Sequence, residues 1–267
     1  MRCMRSVRND IHIPSGWRQI GMTDVHGGQV WRPAGEEPDR AIYTRTQRKP
    51  VTKVSPHHKS PDQWHDLQSR YYDACTNDMR KKFANSMGLD WIPLTTIGLG
   101  WAEELNAWSF PMYGSEDNPV VRGIRLRAAS GKKFAVKGSR DGVFRWLNQL
   151  KDTVYVAEGP TDTAALLELG FDAIGRPSCT GGVDILVRLL TERNAVIVSD
   201  SDSPGRSGAK ILADRLKGLA KSIKIIEPHR KDMREWLEHG ATRDAVELLT
   251  RNATEYGNGS KQIQGCA

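Results

Sequence analysis

The chain has 267 residues, 38% hydrophobic and 27% charged, with a net charge of +7, enough length for about two globular domains. No apolar stretch approaches the ~20 residues needed to span a membrane, and the basic N-terminus lacks the apolar core of a secretion signal. The four cysteines, Cys3, Cys75, Cys179 and Cys266, have no paired spacing, which speaks against a disulfide framework or a zinc ribbon and for a reducing, cytoplasmic compartment.

Residues 1–56 are rich in Arg, Pro and Gly with weak periodicity and read as a basic, irregular segment, with room for a strand or two between Ile42 and Val54. His57-His58-Lys59-Ser60-Pro61 reads as a linker. Asp62 to Met87 reads as one helix, because Trp64, Leu67, Tyr71, Cys75, Met79 and Phe83 recur at three- and four-residue spacing, and Gly88 is a plausible stop. From Leu94 to Phe144 the pattern changes to short β segments separated by turn signals such as Ser130-Gly131 and Gly138-Ser139. Trp101 and Trp108, in the first of them, read as packing residues rather than base-stacking platforms.

This β-rich region holds the charge excess. Between Val120 and Trp146 there are eight Lys/Arg and one acid, a local imbalance equal to the net charge of the whole chain. Arg122, Arg125 and Arg127 alternate with apolar residues, as on a strand with one buried and one basic face. Such a focused basic stretch points to a polyanionic partner.

After Lys151 the chain alternates strand and helix. Strands are expected at Val154–Ala157, Ala173–Ile174, Ala195–Ser199 and Ile223–Ile226, and helices at Thr161–Leu169, Val183–Leu190, Ser207–Leu219 and Met233–His239. This alternation predicts a four-stranded parallel sheet with right-handed crossovers and flanking helices, whose site lies beyond the carboxyl ends of the strands. Acids stand at three of those ends: Glu158 with Asp162, then Asp200 and Asp202, then Asp232. Carboxylates held together repel one another unless a cation lies between them, and Mg²⁺ is the usual cation for oxygen-only sites that also take phosphate. One more short helix is expected after Ala241, then a polar tail from Tyr256.

The run Glu158-Gly159-x-x-Asp162-x-x-Ala165, followed by Asp200-x-Asp202-x-x-Gly205-x-x-Gly208 and the late Lys231-Asp232-x-x-x-Trp236-Leu237, resembles the Toprim domain of DnaG-type primases, topoisomerases and some nucleases. The likeness spans Thr153 to Gly240. Upstream, Ile97-Gly98-Leu99-Gly100-Trp101, Val121-x-Gly123-Ile124-Arg125-Leu126-Arg127 and Gly131 to Ser139 look like the N-terminal subdomain of a primase core, most of all the compact primase-like proteins of phages and mobile elements. The resemblance implies an α/β Toprim-type fold preceded by a smaller α+β primase-like subdomain. The division is then a basic segment (1–56), the primase-like subdomain (57–150), the Toprim domain (151–240), and a short helix with a polar tail (241–267). It implies Glu158 nearest the reacting phosphate, as metal ligand or general acid/base, with Asp200 and Asp202 holding Mg²⁺ (or Mn²⁺) and Asp232 as a further metal-site acid. Asp162 is a structural or supporting acid. Arg125, Arg127, Lys133 and Lys137 would face the acids and hold template strand and nucleotide triphosphates.

The implied activity is Mg²⁺-dependent synthesis of short RNA primers on single-stranded DNA during replication, with NTPs as substrate and a separate replicative helicase as a partner. A Toprim nuclease or a non-catalytic nucleic-acid-binding accessory are the alternatives. Two departures from the family stand out. Met233 and Arg234 follow Asp232 where a second acid is often found. Residues 1–56 offer only Cys3, His12 and His26, so no structural zinc is expected.

Overall fold

The computed structural model describes residues 4–6, 15, 17–23, 29–33, 59–115 and 119–257. The chain divides into two compact units, residues 1–54 and 55–267.

In the first unit, β1 (Met4–Ser6), β2 (Trp17–Thr23) and β3 (Gln29–Pro33) form an antiparallel sheet in the order β1-β3-β2. This corrects the reading of residues 1–56 as irregular. The strands are short, and the pairing of β2 with β3 shifts register between Gln19 and Thr23, so no run of alternation was long enough to register. Gly27-Gly28, between β2 and β3 in sequence, was the available hairpin signal. The segment Ile42–Val54, the residues Cys3, His12 and His26, and the tail beyond Gly257 lie outside the described residues.

The second unit opens with three helices. α1 (Pro61–Ala74) starts at a capping box in which Ser60 and Gln63 satisfy each other's backbone N–H groups. The single helix expected over Asp62–Met87 is in fact two. Thr76 leaves the helical conformation and its hydroxyl accepts from the Met79 N–H, starting α2 (Asn77–Ser86). The apolar spacing runs unbroken through the break because α1 and α2 both bury the face it marks, so periodicity alone could not reveal the cap. Thr76→Ala should cost about 1 kcal/mol of stability, measured by urea unfolding, because the Met79 N–H at the start of α2 then loses its side-chain acceptor. α3 (Trp91–Thr96), capped by Asp90, was not anticipated.

A four-stranded antiparallel meander follows: β4 (Gly100–Ala102), β5 (Ala107–Tyr113), β6 (Val121–Ala128) and β7 (Lys133–Ala135), paired in chain order. Its two faces have different partners. Ala107, Ile124 and Leu126 pack beneath Trp64 and Tyr71 of α1. Phe110 and Met112, on the other face, join a cluster that continues into the next layer. Trp108 packs against Phe83 and Trp101, with centroids 4.7 and 4.9 Å away, so both tryptophans do serve packing.

That next layer is a five-stranded sheet in the order β12-β11-β9-β10-β8. The four expected parallel strands are β9 (Thr153–Glu158), β10 (Ala173–Arg176), β11 (Asn194–Val198) and β12 (Ser222–Ile226). The unexpected fifth, β8 (Phe144–Arg145), pairs antiparallel with β10; two residues are too few to show a period. Val154 and Val156 of β9 face one cluster, with α5 (Val183–Leu190) and α6 (Ser203–Leu216). Tyr155 and Ala157 face the other, with α4 (Gly159–Glu168) and α7 (Met233–Glu238), and Val246 of α8 (Arg243–Asn252) joins them. Near-continuous apolar strands covered on both faces are what a parallel sheet requires. No helix among the described residues is long and apolar enough to cross a membrane.

Strand order fixes where a ligand site can form. The chain leaves β9 for β10 on one side through α4, then returns across β9 to β11 through α5 on the opposite face. The order therefore reverses between β9 and β11, and in open α/β sheets the crevice beyond such a reversal is where ligands bind.

Candidate functional site at the carboxyl edge of the parallel sheet

Glu158 is the last residue of β9 and Asp200 lies two residues past β11, so the two flank the reversal. Gly159, at φ +83°, turns the chain directly from strand into α4. A side chain at that position would be strained whatever the space around it. Glu158 thus stays at the rim of the sheet, half-buried, without acting as a helix cap through its side chain.

The other acids come from the neighbouring strand ends. Asp202 caps α6, its Oδ1 accepting from the Gly205 N–H at 2.7 Å. Asp232 caps α7 in the same way, accepting from the Glu235 N–H at 2.7 Å. The loops that carry them are tied together, since the Ser201 N–H donates to the Lys231 carbonyl at 2.9 Å. Asp162, in the first turn of α4, is buried and its Oδ1 accepts from the Arg234 N–H at 2.9 Å. It thereby links α4 to α7, a supporting position.

These carboxylates sense one another. Burial, then the charges of Glu158, Asp232 and Asp202, push Asp200 up to about 7, against a partial pull from Arg176. Burial and the charge of Asp232 push Asp162 up to about 8. Buried carboxylates that suppress one another's ionisation are relieved when a cation sits between them. Yet among the described residues no three His, Cys, Asp or Glu side chains meet as a ready-made coordination cluster. Asp202 and Asp232 each commit one oxygen to a backbone N–H and keep the other.

By donor type the edge fits a hard divalent ion. It offers carboxylate oxygens only, and Glu158 Oε2 is buried without a hydrogen-bond partner among the described residues.

Sequence reasoning missed Arg176. It ends β10, in register with Glu158, and its side chain is fully buried. Its Nη2 stands 3.8 Å from Glu158 Oε2 and its Nη1 donates to the Cys179 carbonyl at 2.7 Å. The expected strand stopped at Ile174, two residues short. The signal was present as a lone charge closing an otherwise apolar strand.

The basic residues are set by the meander's register. Arg125 pairs with Phe110, Arg127 with Trp108, and Lys133 with Arg127. Directly paired residues share a face, so all three lie on the face that carries Phe110 toward the parallel sheet. Arg125 reaches it, donating from Nη2 to the Pro177 carbonyl at 2.8 Å, one residue beyond Arg176. Arg127 is half-buried and Lys133 exposed. Lys137 lies past the end of β7, exposed.

No protein-family profile matches the chain, and no curated relative does either. Solved structures do. The chain is similar to a DnaG primase catalytic domain bound to single-stranded DNA, with 14% identity over 73% of this chain and 78% of that one and a TM-score of 0.58. The Escherichia coli primase catalytic core gives 15% identity over 71% and 79%, with a TM-score of 0.55. The RNA polymerase domain of Mycobacterium tuberculosis primase DnaG gives 17% over 72% and 82%, with a TM-score of 0.55. The chain therefore has the mixed α/β fold of a primase catalytic core, with both the meander and the parallel sheet.

Proposed function

We propose that the protein is a primase-like nucleotidyl transferase of Toprim type, which joins NTPs into short RNA primers on single-stranded DNA. The observation that carries this reading is the placing of Glu158 and Asp200 on either side of the strand-order reversal, with Arg125 bonded to the same edge. Phosphoryl transfer needs charge neutralisation and in-line alignment more than covalent help, and a repelling acid edge beside a basic face supplies both once a divalent ion is bound.

Glu158, Asp200, Asp202 and Asp232 would hold that ion, Mg²⁺ or Mn²⁺. When bound, it would neutralise developing charge on the phosphates. Glu158, at the rim, would take a proton from the attacking hydroxyl. Arg125, Arg127 and Lys133 would hold phosphates of the template strand and of the incoming nucleotide. Lys137, farther out, would contribute only to the longer-range attraction of the strand.

The test supplies single-stranded DNA, the four NTPs and Mg²⁺ to the full chain and looks for short RNA products. Wild type should make them. Glu158→Gln should make none, and Arg125→Ala should make fewer while raising the NTP concentration needed. Cleavage of labelled DNA or RNA without NTPs, lost in Glu158→Gln, would replace this reading with a nuclease. DNA binding that survives Asp200→Asn and Asp202→Asn, with no activity in wild type, would make the protein a binding accessory.

A further inference from the structure

Arg176 poses a problem of its own. A guanidinium stays protonated at any ordinary pH, and a buried one normally has every donor satisfied. Arg176 is fully buried, yet its Nε and Nη2 have no hydrogen-bond acceptor among the described residues. Its one close carboxylate oxygen, Glu158 Oε2 at 3.8 Å, is likewise buried and without a donor. The pair faces itself across a gap too wide for a hydrogen bond. Removing such a pair from water for stability alone would be a poor arrangement. A fixed positive charge on the inner side of Glu158 has a direct use, however. It orients the carboxylate before any metal arrives, and it lowers the attraction of the edge for further cations.

The charge count favours that use. Asp162 is already engaged by the Arg234 N–H, as a link between α4 and α7, and is left out of the count. Glu158, Asp200, Asp202 and Asp232 then carry at most four negative charges. One divalent ion with Arg176 offsets three of them, whereas two divalent ions with Arg176 would exceed them. Asp202 and Asp232 have moreover each given one oxygen to a helix cap, which leaves fewer ligands for a second ion.

We propose that Arg176 is a built-in second cation of the acid edge, so that the site takes one divalent ion and Arg176 supplies the remaining positive charge beside Glu158. This rests on the reading of the edge as a metal site. Arg176 touches no substrate in this scheme; it is a positioning residue.

The experiment titrates the metal-free full chain with Mn²⁺ and follows free Mn²⁺ by electron paramagnetic resonance. Wild type should bind one Mn²⁺ per chain at this edge, with that binding lost in Asp200→Asn. Arg176→Met, neutral and of similar length, should take up a second ion or bind the first at least about tenfold more tightly, within the range typical of coupled sites. Arg176→Lys should keep the wild-type count. Two ions per wild-type chain, both lost in Asp200→Asn, would overturn this inference and leave the metal site standing. So would Arg176→Met with unchanged stoichiometry and an affinity within about twofold of wild type. No Mn²⁺ on wild type would overturn the metal reading itself, and this inference with it. Should Arg176→Met fail to fold, the wild-type and Arg176→Lys counts still decide.

Discussion

Asp200→Asn should lower the proposed metal-dependent primer synthesis by at least about a hundredfold, since losing even an outer partner of a metal ligand costs 10–100-fold, and at the same time make the metal-free protein more stable. The two effects share one cause. Asp200 is pushed up to about 7 from the ordinary 3.8, first by burial and then by Glu158, Asp232 and Asp202, and Asp162 to about 8. In the unfolded chain both lose their protons near pH 4. Between about pH 4 and pH 8 the folded state therefore holds more protons than the unfolded state, and stability falls as pH rises through that window. Metal-free wild type should melt several degrees lower at pH 8 than at pH 5.5. Asp200→Asn should flatten much of that slope, and Mg²⁺ should raise the melting temperature of wild type but hardly that of the variant. Melting curves at a series of pH values, with and without Mg²⁺, check all three. A flat wild-type profile would mean that neither burial nor neighbouring charge raises these acids.

Gly208→Ala should be among the most damaging single-methyl changes near the site. A Cβ at Gly208 would lie 2.2 Å from the Cys179 carbonyl oxygen and 2.8 Å from its Cβ, and the first of these is backbone that cannot step aside. The cost should be about 2–3 kcal/mol, at the upper end for overpacking, or roughly 4–12 °C in melting temperature for a unit of this size. The damage should also reach the chemistry, because the displaced carbonyl is the acceptor for Arg176 Nη1. Gly218→Ala, on the same stretch of chain with nothing within 4 Å of the added Cβ, should cost only the strain of its φ of +73° and serves as the control. If the two variants melt alike, the close approach of α6 to the β10–α5 loop is not real.

How much of this was legible in the residues depends on which force set each feature. The parallel strands and their helices were readable because burial on both faces writes long apolar runs into β9, β11 and α5. The acids were readable because a charge directly after such a run has few other reasons to be there. The break at Thr76 was not, because a cap is a single hydroxyl–amide bond that leaves the apolar spacing untouched. β8 and α3 were too short to show a period. Arg176 was overlooked for a different reason: its lone charge closing β10 could be seen, but its importance comes from register across two strands, β10 beside β9, and a linear pattern holds no information about which strand lies next to which. The placing of Arg125 beside Phe110 has the same origin. Alternation along β6 announced a basic face but not what that face would meet.

The apolar cluster that contains Phe83, Leu94 and Phe110 also contains Ala157, Leu166, Val198 and Trp236. It therefore passes straight through the point near Lys151 where the sequence changes from β-rich to alternating strand and helix. Cutting the chain there would not release two independent bodies. It would strip an oily surface off each, and the fragment bearing the carboxylates would be expected to clump rather than to work in isolation. The same continuity makes melting of the meander and of the parallel sheet a single event, so heat or denaturant should dismantle the basic wall and the acidic edge together.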